Sequence, residues 1–311
     1  MNSFGPKVAV SRSDLPARVT VWEVGARDGL QNESTVIDTS SKVEFIDRLT
    51  DAGLPVVEAT SFVRADRIPQ LADAADVMAA IDRKPGVRYP ALVPNLRGLE
   101  SAIASGVTDI AVFASATDTF AQRNLGRPIA EQMAMFTPVI EAARAQGLVV
   151  RGYVSMCFGD PWEGAVDAGQ VVGVCNELVA AGCTELSLGD TIGVATAGQV
   201  REVLGRLDAS GVSTDTVGVH FHDTYGQALA NTLAALECGI STVDSSAGGL
   251  GGCPYAESAT GNLATEDLVW MLDGLGIETG VDLEKLVATS VWMAQKLGRP
   301  PASRVVRALS R

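Results

Sequence analysis

Six times along this chain a helix-like segment closes on a small or polar residue and a glycine, and a β-rich run follows at once. The runs are DAGLPVVEATSF, ASGVTDIAVFASA, AQGLVVRGYVSMC, AAGCTELSLGD, ASGVSTDTVGVHFHD and ECGISTVDSSAGG. Their glycines, Gly53, Gly106, Gly147, Gly182, Gly211 and Gly239, stand where a helix ends on a left-handed residue. Successive spacings fall from 53 to 28 residues, the size of one helix, one strand and their loops. Adding VTVWEVGARD and YPALVPN gives eight strand candidates, each followed by a helix candidate. Eight strands alternating with helices in 311 residues predict a (β/α)8 TIM barrel of the α/β class. An open doubly wound sheet is the competing arrangement, but the opening strand lacks the glycine fingerprint of a dinucleotide site. DLEKLVATSVWMAQKLG reads as an extra C-terminal amphipathic helix. No Pro/Gly/Ser linker divides the chain, so one domain over residues 1–311 is expected.

Composition narrows the function classes. Hydrophobic residues make up 47 % of the chain, which argues against disorder. The net charge of −13 argues against nucleic acid as a partner, because phosphate neutralisation needs a basic face. No uninterrupted apolar run is long enough for a membrane span, and the residues before Val19 lack the apolar core of a signal peptide. The five cysteines form no C-x-x-C pair and are odd in number, so a reducing, cytoplasmic setting is expected.

A barrel of this kind carries its chemistry at the C-terminal ends of its strands. Those ends read Arg27-Asp28-Gly29, Glu58 to Phe62, Pro94-Asn95, Ser115, Ser155 to Cys157, Gly189-Asp190-Thr191, His220 to Asp223, and Asp244 to Ser246. The only two histidines of the chain, His220 and His222, stand two apart in VGVHFHDTYG. On a strand they share one face with Gly218, while Val217, Val219 and Phe221 take the other. Two imidazoles so placed can put two nitrogens on one divalent metal, with a carboxylate or amide completing the shell. The alternative is a packed polar pair. Arg27 and Asp28 are adjacent and would diverge on a strand, so a turn must re-aim one of them, and Gly29 could permit it. AGGLGGCPYA carries four glycines between Gly248 and Gly252 and reads as a lid that excludes water; a phosphate cradle and a plain turn are the alternatives.

The motifs VWEVGARDGLQNE, VVEATSFV, ALVPNLRG, RGYVS, SLGDTIGV, VHFHDTYGQALANTLAAL, VDSSAGGLGGCPYAESATGNLATEDLVWML and GLGIETGVDL resemble, in order and spacing, those of the hydroxymethylglutaryl-CoA lyases. The resemblance runs from about Val19 to Arg307. It implies a divalent metal, Mg²⁺ or Mn²⁺, held by Asp28, His220, His222 and Asn262. It implies that Arg27 stabilises the developing enolate oxygen and that Cys253, on a mobile loop, serves in proton transfer. It places Gln31, Glu58, Asp190 and Glu266 around metal and substrate. The shell of one carboxylate, two imidazoles and an amide oxygen suits a six-coordinate hard cation better than a closed zinc site. His220 or Asp28 is the candidate base at the substrate hydroxyl.

The implied reaction is cleavage of 3-hydroxy-3-methylglutaryl-CoA to acetyl-CoA and acetoacetate, in leucine degradation or ketone-body metabolism. A related thioester such as citramalyl-CoA or 3-hydroxy-3-isohexenylglutaryl-CoA is the alternative substrate. A non-catalytic metal-binding barrel and an aldolase or condensing synthase are the rival functions. Arg123 and Arg127, with Arg64 and Arg67, form the candidate basic rim for the CoA phosphates; a solvated rim is the alternative reading. A homodimer or higher homo-oligomer is expected. The chain departs from the family pattern at Ala26, usually proline, at Phe221, and at MCFGDPWEG, where Asp160 and Trp162 are expected to face the acyl chain.

Overall fold

The computed structural model describes residues 9–252 and 261–310. Nine strands run parallel: β1 (Thr20–Glu23), β2 (Val56–Val57), β3 (Thr60–Ser61), β4 (Ala91–Leu92), β5 (Asp109–Ser115), β6 (Val149–Ser155), β7 (Glu185–Asp190), β8 (Val217–Phe221) and β9 (Thr242–Ser245). Their order is β2-β1-β9-β8-β7-β6-β5-β4-β3. β2 and β3 are two pieces of one barrel strand, interrupted at Glu58 and Ala59. The interruption keeps its hydrogen bonds: Glu58 N donates to Glu23 O on one side (2.8 Å), and Ala59 N donates to Pro90 O on the other (2.9 Å). The ring of eight strands therefore closes, as the repeat predicts, and leaves no open edge between β1 and β4.

Helices separate the strands: Thr39–Asp51, Ala74–Ala80, Leu96–Ala104, Ile129–Ala145, Ala168–Ala181, Ala197–Ala209, Ala228–Glu237 and Thr265–Gly274, with Asp118–Leu125 inserted after β5. All six repeat glycines are left-handed, with φ between 72° and 113°. The other helix ends follow the same local chemistry. Asp38, Asn95, Asp167 and Thr196 accept from first-turn amides that have no partner inside the helix. The expected extra helix is Leu283–Leu297, and a further one, Arg304–Leu309, follows it.

The main core lies between the sheet and the helices and includes Phe45, Phe136 and Phe221. The barrel interior differs. Beside small apolar groups such as Trp22 with Val24 and Val56, it buries Glu58, Arg151, Ser187 and Asp244, each no more than 2 % exposed. Buried charges need partners, and those partners build the site described next. No described helix is long and apolar enough to cross a membrane.

Candidate active site and metal centre

After β1 the chain winds into a single π turn over Gly25–Gly29, in which Gly29 N donates to Val24 O (3.0 Å). This turn brings Arg27 and Asp28, which strand parity would separate, to one cavity. Gly29 is needed there for room and not, as the sequence suggested, for conformational freedom: it is not left-handed. A Cβ on it would lie 2.8 Å from Ser246 Oγ and 2.9 Å from Leu250 Cβ. The cavity opens at the C-terminal ends of the strands and holds about 650 Å³.

Arg27 is held as a fork. Its Nε donates to Glu58 Oε1 (2.5 Å) and its Nη1 to Asp28 Oδ1 (2.7 Å), which leaves Nη2 without a hydrogen-bond partner among the described residues. Glu58 is fully buried at the break in the second barrel strand. Its other oxygen accepts from Trp22 Nε1 (3.1 Å) and from the Tyr153 hydroxyl. Burial opposes a charged guanidinium, but Glu58 and Asp28 outweigh it and hold the Arg27 pKa above its ordinary value. The Arg27 guanidinium also lies 5.5 Å from the centre of the Tyr153 ring.

Asp28, His220 and His222 each offer a ligand atom, and these three atoms lie within 4.8 Å of one another. Strand parity holds: Val217, Val219 and Phe221 are buried on the opposite face. Asn262 reaches the cluster through an antiparallel bridge to His222. Its Nδ2 donates to Asp28 Oδ2 (2.9 Å) and Leu250 O (3.0 Å). Its buried Oδ1 then has no hydrogen-bond partner among the described residues. A buried amide oxygen without a donor, next to one carboxylate and two imidazoles, fits a hard divalent cation. Burial raises the Asp28 carboxyl pKa, but Arg27, His220 and His222 outweigh that and bring it down to about 2. An ionised carboxylate is the form a cation needs.

The remaining candidates sort by position. Gln31 and Arg123 line the cavity, with Arg67, Phe113, Phe120 and Ser155. Arg127 does not line it; it lies exposed beside Glu131 (3.7 Å). Glu58 is bonded to Arg27 and is absent from the cavity wall. Asp190 accepts from the amides of Val194 (2.9 Å) and Ala195 (3.1 Å), so it shapes the turn beyond Gly189 and Thr191, which do line the wall. Burial raises the Asp190 pKa to about 6 against those amides. Glu266 sits behind the site, accepting from Gly248 N (2.9 Å) and the Ser290 hydroxyl. Asp160 and Trp162 do not face the cavity. Asp160 accepts from Thr117 Oγ1 (2.6 Å) and ties its own loop, while Trp162 backs Phe120 and Arg123, whose guanidinium lies 4.4 Å from the indole centre. Cys253 lies outside the described residues.

Tyr153, Arg151 and Ser187 were not among the sequence candidates, and Asp244 entered only as the end of its strand. The signal was present: Arg151, Tyr153 and Ser155 alternate along β6 with a period of two, a polar stripe inside a barrel.

The HMGL-like family model matches residues 18–292. The mitochondrial hydroxymethylglutaryl-CoA lyase of Rattus norvegicus is 50 % identical over 298 residues, covering 96 % of this chain and 91 % of that protein. The crystal structure of hydroxymethylglutaryl-CoA lyase from Pseudomonas aeruginosa superposes with a TM-score of 0.93 at 49 % identity, covering 96 % of this chain and 99 % of the other. An HMG-CoA lyase from Acinetobacter baumannii in complex with coenzyme A and 3-methylmalate gives a TM-score of 0.91 at 34 % identity, with 96 % and 97 % coverage.

Proposed function

We propose that this chain, which belongs to the HMGL-like family, cleaves 3-hydroxy-3-methylglutaryl-CoA to acetyl-CoA and acetoacetate in the cavity at the top of its barrel. The observation that carries the reading is the meeting of Arg27 with Asp28, His220, His222 and Asn262 at one wall. Relatives named as hydroxymethylglutaryl-CoA lyases, about half identical over nearly the whole chain, support it.

Asp28, His220, His222 and Asn262 Oδ1 are the residues to hold Mg²⁺ or Mn²⁺, which when bound supplies Lewis acidity toward the substrate oxygens. Of the two candidate bases, Asp28 is the one left to take the proton of the tertiary hydroxyl, because His220 presents its single lone pair to the cation. The bond between C2 and C3 then breaks: the hydroxyl carbon becomes the ketone of acetoacetate, and the electron pair passes to the acetyl-CoA enolate. Arg27 faces that charge with the one guanidinium nitrogen that Glu58 and Asp28 leave unused, so the fork needs no rearrangement as the charge appears. Cys253 is the candidate to protonate the enolate carbon. Arg123, braced by Trp162, and Arg67 are the cationic candidates for the CoA phosphates, in a chain whose overall charge would otherwise repel them.

A second reading keeps the chemistry and changes the acyl group. It rests on the Asp160–Trp162 loop, which departs from the family pattern and sits behind Phe120 and Arg123. Product analysis by mass spectrometry tests both readings. Acetoacetate and acetyl-CoA from 3-hydroxy-3-methylglutaryl-CoA, faster than ketone release from citramalyl-CoA or 3-hydroxy-3-isohexenylglutaryl-CoA, is the expected result. A reversed ranking would transfer the assignment to the other thioester.

A further inference from the structure

We propose that Asp244 is a positioning residue that fixes the ring orientation and tautomer of His220, so that Nε2 is the nitrogen presented to a divalent cation. The inference rests on the metal-site reading above.

Asp244 and His220 are register partners on the adjacent strands β9 and β8. Both project into the barrel interior, where Asp244 is 1 % exposed. Asp244 Oδ2 lies 3.3 Å from His220 Nδ1, at the long end for a hydrogen bond. The same oxygen accepts from Ser187 Oγ (2.9 Å), and Oδ1 accepts from Arg151 Nη2 (2.7 Å).

Arg151 is itself held for this task. It is 2 % exposed and stacks over Trp22, 3.8 Å from the ring centre. Gly218 lies two residues before His220 on the same inward face, and a Cβ there would come within 2.5 Å of Arg151 Nη2. Glycine at that position makes room for the guanidinium.

Chemistry settles the direction of the histidine bond. A carboxylate that already accepts from a guanidinium and a hydroxyl has only acceptor capacity to offer the ring. The nitrogen facing it must donate, so His220 carries its proton on Nδ1. Nε2 then keeps its lone pair and points toward the cluster, 4.0 Å from Asp28 Oδ2. A carboxylate behind a metal-binding imidazole is a general means of fixing ring and tautomer, and its loss costs about 10–100-fold in metal affinity.

Because the chain has only two histidines, the tautomer can be read directly. Metal-free protein labelled with [¹⁵N]histidine is studied by long-range ¹H–¹⁵N NMR at alkaline pH, where the rings are neutral, and His222→Gln assigns the two rings. The expected wild-type result is the Nδ1–H form of His220. In Asp244→Asn, Arg151 retains the amide oxygen, which turns the Asn Nδ2 toward the ring. The Nε2–H form should then appear, and Mn²⁺ affinity measured by electron paramagnetic resonance should fall about 10–100-fold. An Nε2–H ring in the wild type overturns the proposal, as does an Asp244→Asn protein that keeps both the Nδ1–H form and wild-type Mn²⁺ affinity. The wild-type spectrum decides the matter alone if the variant does not fold. Failure of the metal reading looks different: the wild type would bind no Mn²⁺ at all, whatever its tautomer.

Discussion

At Arg27 a single planar side chain joins two carboxylates at the edge of the cavity. Two of its nitrogens are committed to carboxylates, one of them fully buried, and the third is left toward the cavity. Lysine carries the charge but cannot make two divergent hydrogen bonds while presenting a third donor. Arg27→Lys should therefore lower kcat and kcat/KM together, by about 10²–10³-fold, the usual cost of losing one preorganised donor at a developing oxyanion. Steady-state kinetics on the acyl-CoA substrate measures this. A raised KM with unchanged kcat would mean that Arg27 only binds substrate and does not stabilise charge formed during cleavage.

At the scale of elements, the π turn over Gly25–Gly29 is what converts adjacent residues of a strand into neighbours in a site. A methyl group at Gly29 would press on Ser246 and Leu250 across the turn. Gly29→Ala should cost about 1–3 kcal/mol of stability by overpacking, read from urea unfolding, and should lower activity further by displacing Asp28. Wild-type stability and turnover would show that the turn adapts. The helix Asp118–Leu125, inserted after β5, brings Arg123 to the cavity, whereas Arg127 just beyond it lies outside. Arg123→Glu should raise KM for the acyl-CoA and Arg127→Glu should not; equal effects would reduce both to general surface charge. The barrel and the histidine pair on its wall were legible in the sequence because they rest on local rules: glycines that must be left-handed, and a strand period of two that puts His220 beside His222. Contacts across the barrel were not. Glu58, Asp190 and Glu266 were placed around the substrate on the resemblance. Their partners, Arg27, the amides of Val194 and Ala195, and Ser290, lie 24 to 31 residues away or inside the next turn, and no periodicity reports them. Arg151 and Asp244 are separated by 93 residues and meet only because β6 and β9 face one interior.

For the whole molecule, two buried carboxyls beneath the Ala247–Gly249 turn link stability to pH. Burial raises Glu266 to about 8 and Glu23 to about 7, against the hydrogen bonds each accepts. Both folded values lie above the ordinary value of 4.5, so the neutral forms belong to the native state. Their contribution is complete below the unfolded pKa near 4.5 and is fully lost once pH has risen through the folded values of about 7 and about 8. Unfolding free energy should thus fall from about pH 4.5 to about pH 8 and level off above, and Glu266→Gln should flatten the fall. An unchanged slope in the variant would assign the dependence to other groups.

The central claim is that Asp28, His220, His222 and Asn262 form one cation site on which cleavage depends. The most direct test follows Mn²⁺ occupancy and acetoacetate production in the same samples as chelated protein is titrated with metal. Turnover should be absent from the metal-free protein and rise in proportion to occupancy, saturating at one ion per chain. Full turnover without metal, or turnover unrelated to occupancy, would contradict the account.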